Sequence, residues 1–183
     1  MTATWRLLEE SGGQGVRMAD VAKRAGVSRQ AVYLHFPSRA ELLIATTRHI
    51  DAKHDVDGRL AASRGACDGP GRLDAFIEAW GAYIPEIHGV CSALLAMRDT
   101  DAAAAAAWDD RMAALRDGCA AAVRDLAEEG HLRADLDPDS ATDLLWTLLS
   151  VRNWEHLGRD CGWSQDRYVA AMKDLARRSL FKG

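Results

Sequence analysis

Cysteine pairs, prolines, lysines and long apolar runs are all scarce in this chain of 183 residues. The four cysteines, Cys67, Cys91, Cys119 and Cys161, are widely scattered, and no two form a CxxC pair. They read as reduced thiols, several of them buried. A chain of this size with 48% hydrophobic residues fills a core without a disulfide or metal staple. No run of about 18 apolar residues appears, which argues against a transmembrane helix. The opening MTATWRLLEESG lacks the basic-then-apolar layout of a secretory signal, so the expectation is a soluble cytoplasmic protein. Runs of alternating β-branched residues are missing too, which argues against sheet. Lysine is outnumbered by arginine 4 to 19, a bias that fits a GC-rich genome.

Charge is present but unevenly spread. Residues 1–50 hold seven basic side chains (Arg6, Arg17, Lys23, Arg24, Arg29, Arg39 and Arg48) against four acidic ones (Glu9, Glu10, Asp20 and Glu41). The net −4 thus divides into +3 at the head and −7 over the remainder. A basic head on an acidic body suits a polyanion-binding module joined to a domain of another kind.

Helix-period apolar spacing recurs along the whole chain and predicts an all-α fold. The spacing predicts helices over about residues 3–11, 18–25 and 29–35, the first stopping at GGQG. Ser38 and Glu41 make a capping box for a fourth, which is expected to run to about Leu60. Pro70 opens a fifth helix, and Pro85 with Gly89 is expected to break it before a shorter one. Trp108, Met112, Leu115, Cys119, Ala122 and Leu126 form one apolar stripe on a helix over about 101–129. Two final helices are expected over about 139–158 and 164–181.

The chemistry concentrates in the stretch MADVAKRAGVSRQAVYLHFPSRAELL, Met18 to Leu43. Two short helices joined by AGVS have the layout of a helix-turn-helix: Gly26 permits the tight turn, Val27 plugs the angle, and Ser28 caps the next helix. That helix presents Arg29, Gln30 and Tyr33 on one side, while Val32 faces inward with Phe36. Arginine and glutamine suit the major groove, because they pair bidentately with guanine and adenine edges. Ser28, Tyr33, His35 and Arg39 are better matched to phosphate oxygens, which fix register without reading sequence.

This stretch resembles the DNA-binding domain of the tetracycline-repressor (TetR) family of bacterial transcriptional regulators. The likeness rests on Ala25–Ser28, on the aromatic-x-His-Phe run Tyr33–Phe36, and on the Ser38–Arg39 start of the fourth helix, and it covers about residues 3–48. It implies a three-helix head over 1–48 and a helical effector-binding and dimerisation domain over 49–183. Three features depart from the family pattern. The first helix begins close to Met1, where the family usually starts several residues earlier and brings a basic residue to the backbone. Arg17 stands where a Thr or Ser cap is usual, and is counted among the DNA-facing residues. Gly13 occupies a position that is commonly aromatic.

For the body, the resemblance implies an apolar cavity for a small apolar or aromatic effector. Trp80, Tyr83, His88, Cys91, Trp108, Met112, Trp146 and Trp154 are its candidate lining. Apolar faces on the last two helices exceed what one core needs, so Leu145, Leu149, Val169, Met172 and Ala176 are the candidate interface of a homodimer. The expected partners are therefore double-stranded operator DNA, a small molecule and a second copy, with no membrane. Two other readings stay open: a small enzyme using His88 or Cys91, and an interaction module whose helix-turn-helix no longer binds DNA. His88 and Cys91 lie three apart on a helix, but no third metal ligand is near them in sequence. No catalytic residue, metal or cofactor is expected.

Overall fold

The structure, a computed structural model, describes residues 1–12 and 15–182; Gly13 lies outside them. Its helices are α1 (Thr2–Ser11), α2 (Met18–Ala25), α3 (Arg29–His35), α4 (Arg39–Lys53), α5 (Val56–Arg59), α6 (Ala61–Arg64), α7 (Gly69–Met97), α8 (Ala102–Glu128), α9 (Pro138–Leu148), α10 (Val151–Glu155) and α11 (Gln165–Leu180), with a π-helical turn at His156–Asp160. Among the described residues the only pairing of β type is an isolated bridge between Leu132 and Phe181. The fold is all-α, as the periodicity predicts.

Two compact units form. One comprises Met1–Asp55 and Ile87–Met112, the other Val56–Glu86 and Ala113–Gly183. The opening segment of the first unit runs to Asp55, just past the end of α4, whereas the expected boundary between residues 48 and 49 lies within that helix. The reason is burial: Val90, Ala93, Leu94 and Met97 of α7, with Ala104 and Ala107 of α8, share one apolar cluster with Leu8, Val21, Leu42 and Ile50. The first unit is thus α1 to α4 closed by the end of α7 and the start of α8.

Several helix limits differ from the sequence reading, each for a local reason. Helix α4 ends at Lys53 rather than near Leu60. Asp55 takes a left-handed φ of 49°, a conformation that aspartate tolerates better than most side chains, and the next turns start afresh. The helix expected over 139–158 is broken at Ser150. The Ser150 hydroxyl accepts the Asn153 backbone N–H at 3.2 Å, and Asn153 Nδ2 donates to the Thr147 carbonyl at 2.7 Å. Serine and asparagine thereby cap a new helix instead of continuing the old one.

Pro85 does not break α7, which runs on to Met97. Proline has no N–H for the carbonyl four residues earlier, that of Gly81. Gln165, the first residue of α11, supplies the missing donor: its Nε2 donates to the Gly81 carbonyl at 2.5 Å. The side-chain oxygen of the same amide accepts Trp154 Nε1–H at 2.9 Å. The approach needs a glycine at 81, since a Cβ there would run into the Val169 side chain.

The same packing buries the residues expected at a dimer interface within the single chain. Leu145, Leu149, Met172 and Ala176 are no more than 2% exposed within a single chain, and Val169 is half-buried against Gly81. They fill the second unit's own core. The large apolar side chains left outward on α9 and α11 are Leu144 and Leu175, each more than 40% exposed.

Replacing Gln165 by alanine should remove its two hydrogen bonds, to the Gly81 carbonyl and from the Trp154 indole N–H. The expected cost is roughly 1–3 kcal/mol in denaturant unfolding. A variant as stable as wild type would mean that water replaces the amide.

Candidate nucleic-acid interface

Helix α2 ends where Gly26 turns left-handed, at φ 69°. The Gly26 N–H bonds back to Lys23 and the Val27 N–H to Ala22, at 3.3 and 3.0 Å, so two carbonyls at the helix end are satisfied by the turn itself. Ser28 then caps α3, its hydroxyl accepting the Ala31 N–H at 3.0 Å. Val32 is buried and fixes the roll of α3. Val27 is 48% exposed, so it does not plug the angle between the helices; Val21, Ala22 and Val32 fill it.

That roll leaves Ser28, Arg29, Gln30, Tyr33 and His35 exposed. The Arg29 guanidinium lies 5.5 Å from the Tyr33 ring centroid, and Nη2 reaches the Tyr33 hydroxyl at 3.5 Å. The aromatic face steadies the arginine without neutralising it. Arg17 precedes α2 and gives it no side-chain cap, as the departure from a Thr or Ser cap implies. A recess of about 570 Å³ opens beside these residues, lined by Gly15, Val16, Arg17, Met18, Ala19, Arg29, Tyr33, Arg39 and Asp101. Leu34, 78% exposed next to Tyr33, escaped the sequence reading because a helix wheel assigns a leucine to the core.

Arg39 is not placed as expected. Its Nη1 and Nη2 donate to the two Asp101 carboxylate oxygens at 2.8 and 2.6 Å, and its Nε donates to the Val16 carbonyl at 2.5 Å. It is half-buried and committed inside the protein, which corrects its reading as a phosphate contact. Asp101 has no sequence signal, since its partner is 62 residues away. The Arg39 guanidinium holds the Asp101 carboxyl below the usual carboxylate range, helped by the Ala104 and Ala103 N–H groups at the start of α8.

Other basic residues of the head are also engaged. Arg24 pairs with Glu10, and Arg48 with Asp110, whose other partner is Arg111. Burial works to raise the Asp110 carboxyl, but the two arginines outweigh it and its pKa is lowered. Arg6, Arg17, Lys23 and Arg29 form no ion pair among the described residues. The usable positive charge is therefore smaller, and more concentrated near α2 and α3, than the +3 count suggests.

The eight candidate effector residues do not fall in one unit. His88, Cys91, Trp108 and Met112 lie in the first, and Trp80, Tyr83, Trp146 and Trp154 in the second. Trp80, Tyr83, His88, Cys91 and Trp154 are buried, and Trp108, Met112 and Trp146 half-buried. Burial pushes the Cys91 thiol up to about 12, so at neutral pH it is no thiolate nucleophile. His88 Nε2 is 3.0 Å from the Ser92 hydroxyl. Among the described residues no three His, Cys, Asp or Glu side chains converge as a metal site, and no helix is long and apolar enough to cross a membrane.

Residues 1–46 match the family model described as bacterial regulatory proteins, tetR family. The head, about a quarter of the chain, is therefore similar to the TetR family. The HTH-type transcriptional regulator CymR of Pseudomonas putida is 50% identical over 46 residues, 25% of this chain and 23% of that protein. The HTH-type transcriptional activator FasR of Mycolicibacterium smegmatis is 35% identical over 85 residues, 46% of this chain and 38% of that one. These alignments thus span less than two fifths of either relative. The likeness of fold is more extensive. The transcriptional regulator FadR from Bacillus subtilis, solved in complex with stearoyl-CoA, superposes with a TM-score of 0.75. It is 15% identical, and the match covers 96% of this chain and 94% of that one. The TetR likeness is therefore carried by sequence in the head and by fold alone in the body.

The lowered Asp101 carboxyl has a pH consequence. Its charged form stabilises the folded chain fully above the unfolded value of about 3.9, and that contribution is lost as pH falls through the lower folded value. The stability gap between wild type and Asp101→Asn should therefore close in acid. Urea midpoints measured from pH 7 to pH 3 check this; a gap constant with pH would remove the ion pair from the account.

Proposed function

We propose that the chain is a ligand-responsive transcriptional regulator that binds a palindromic operator as a two-fold dimer. The observation that carries this reading is the outer face of α3, where Arg29, Gln30 and Tyr33 stand exposed beside Arg17, and where neither arginine is ion-paired among the described residues. Arg29 and Gln30 read base edges in the major groove. Ser28, Tyr33, His35 and Arg17 hold phosphates, and the uncapped N–H groups at the start of α2 add favourable potential there. The sign of control is proposed as repression, which needs only occupancy of the DNA; the relative FasR is named an activator.

A second copy covers Leu144 and Leu175 on α9 and α11, and the two heads then meet half-sites about one helical turn or a multiple apart. The effector is a small apolar or aromatic molecule. Of the candidates in the second unit, Trp80, Tyr83 and Trp154 are the buried aromatic ones and supply apolar contact surface. The Bacillus subtilis FadR, which shares the fold, was solved with stearoyl-CoA, whose acyl chain is long and apolar.

Selection from a random duplex library, followed by titration of the enriched sequence over a range of salt, tests the reading. The enriched sequence should be palindromic, and affinity should fall steeply with salt. Arg29→Ala should cost roughly 1–3 kcal/mol on that duplex and relax one position in each half-site. Failure to enrich any duplex would overturn the proposal.

A further inference from the structure

Helix α4 is tied to α8 by charge at matched positions: Arg39 with Asp101, Arg48 with Asp110, and Asp51 with Arg111. The numbers rise together on both sides, so the two helices run alongside each other in the same direction. The first of these ties differs from the others in what it connects. The Asp101 carboxylate accepts the Ala103 and Ala104 N–H groups at 3.0 and 3.3 Å, capping α8, and grips both ends of the Arg39 guanidinium. Arg39 opens α4, and its Nε holds the carbonyl of Val16, two residues before α2 begins. A single half-buried ion pair thus joins the starts of α8 and α4 to the strap that leads into α2, and it closes one side of the recess that Arg17, Arg29 and Tyr33 line.

We infer that Asp101 and Arg39 are positioning residues for DNA binding. They touch no DNA and set the pose of α2 and α3 against it. The inference rests on the DNA-binding reading above, and its sign is unusual. Point-charge reasoning says that an aspartate beside a polyanion-binding surface weakens binding, so removing it should help. It says also that an arginine freed from a carboxylate gains a phosphate. If the clasp positions the strap, removing the same aspartate harms binding, because Val16 and Arg17 lose their anchor.

The test uses the full chain and the duplex enriched by wild type, with Asp101→Asn, Arg39→Gln, the double variant and Asp101→Glu. Each single neutral variant should bind about tenfold weaker, within the usual range of coupling between sites. The double variant should be no worse than either single one, since both remove one clasp. The dependence of affinity on salt should be the same in Asp101→Asn and Arg39→Gln, because both loosen Arg17 alike and Arg39 itself meets no phosphate. Asp101→Glu keeps the charge and should recover most of the affinity, which separates positioning from a general loss of fold; circular dichroism checks that each variant is helical. Tighter binding by Asp101→Asn, additive losses, or a salt slope lower by about one in Arg39→Gln than in Asp101→Asn would return Arg39 to the phosphate backbone and overturn the inference. Failure of wild type to enrich any duplex would instead remove the DNA-binding reading on which it rests.

Discussion

The Asp101 carboxylate sits where three backbone segments must be held at once. A helix start leaves N–H groups without partners, and two of those in α8 are met by this side chain. An arginine fork fits a carboxylate with both prongs, which fixes direction as well as distance. The remaining donor of that fork reaches a carbonyl in the strap before α2. The geometry of the candidate nucleic-acid face follows, because α2 and α3 are short and inherit their placement from what borders them. A lysine at 39 would supply charge without the fork and so could not hold all three segments.

Charge in this molecule works mainly as structure. Many arginines pair with an aspartate or glutamate of their own compact unit, as in Arg72 with Asp125, Arg116 with Asp143 and Arg177 with Asp74 in the second. Exposed pairs of this sort contribute little each. Their value lies in leaving a few arginines near α2 and α3 as uncompensated charge, so that the field at that face is local.

What could be read in advance depended on how far each residue's partner lies along the chain. Gly26, Ser28 and Ser38 act on neighbours within four residues, and the elements they start or stop, α2, α3 and the beginning of α4, stand where the sequence puts them. Helix α8 was legible because its apolar stripe is long and uninterrupted. Pro85 misled because the donor that repairs its missing bond is 80 residues away, and Ser150 because a serine inside an apolar run gives no sign that its hydroxyl will cap a new helix. An apolar helix face also reads the same whether it meets its own core or another chain, so sequence alone does not tell which of the two Leu145 and Met172 meet. Arg39 looked like part of a basic patch for the same reason: a count of charge carries no record of which carboxylate folds back upon it.

The repaired gap in α7 has a consequence for how this body can vary among relatives. Proline at 85, glycine at 81, glutamine at 165 and a side chain no bulkier than is tolerated at 169 satisfy one shared condition, that α11 deliver a donor to an orphaned carbonyl. None of the four is free to drift alone. A lineage that regains an N–H at position 85 closes the helix without help, and then nothing at that carbonyl obliges position 165 to be an amide or position 81 to lack a Cβ. The four positions should therefore change hands as a set, and the presence of the proline tells which set a given descendant carries.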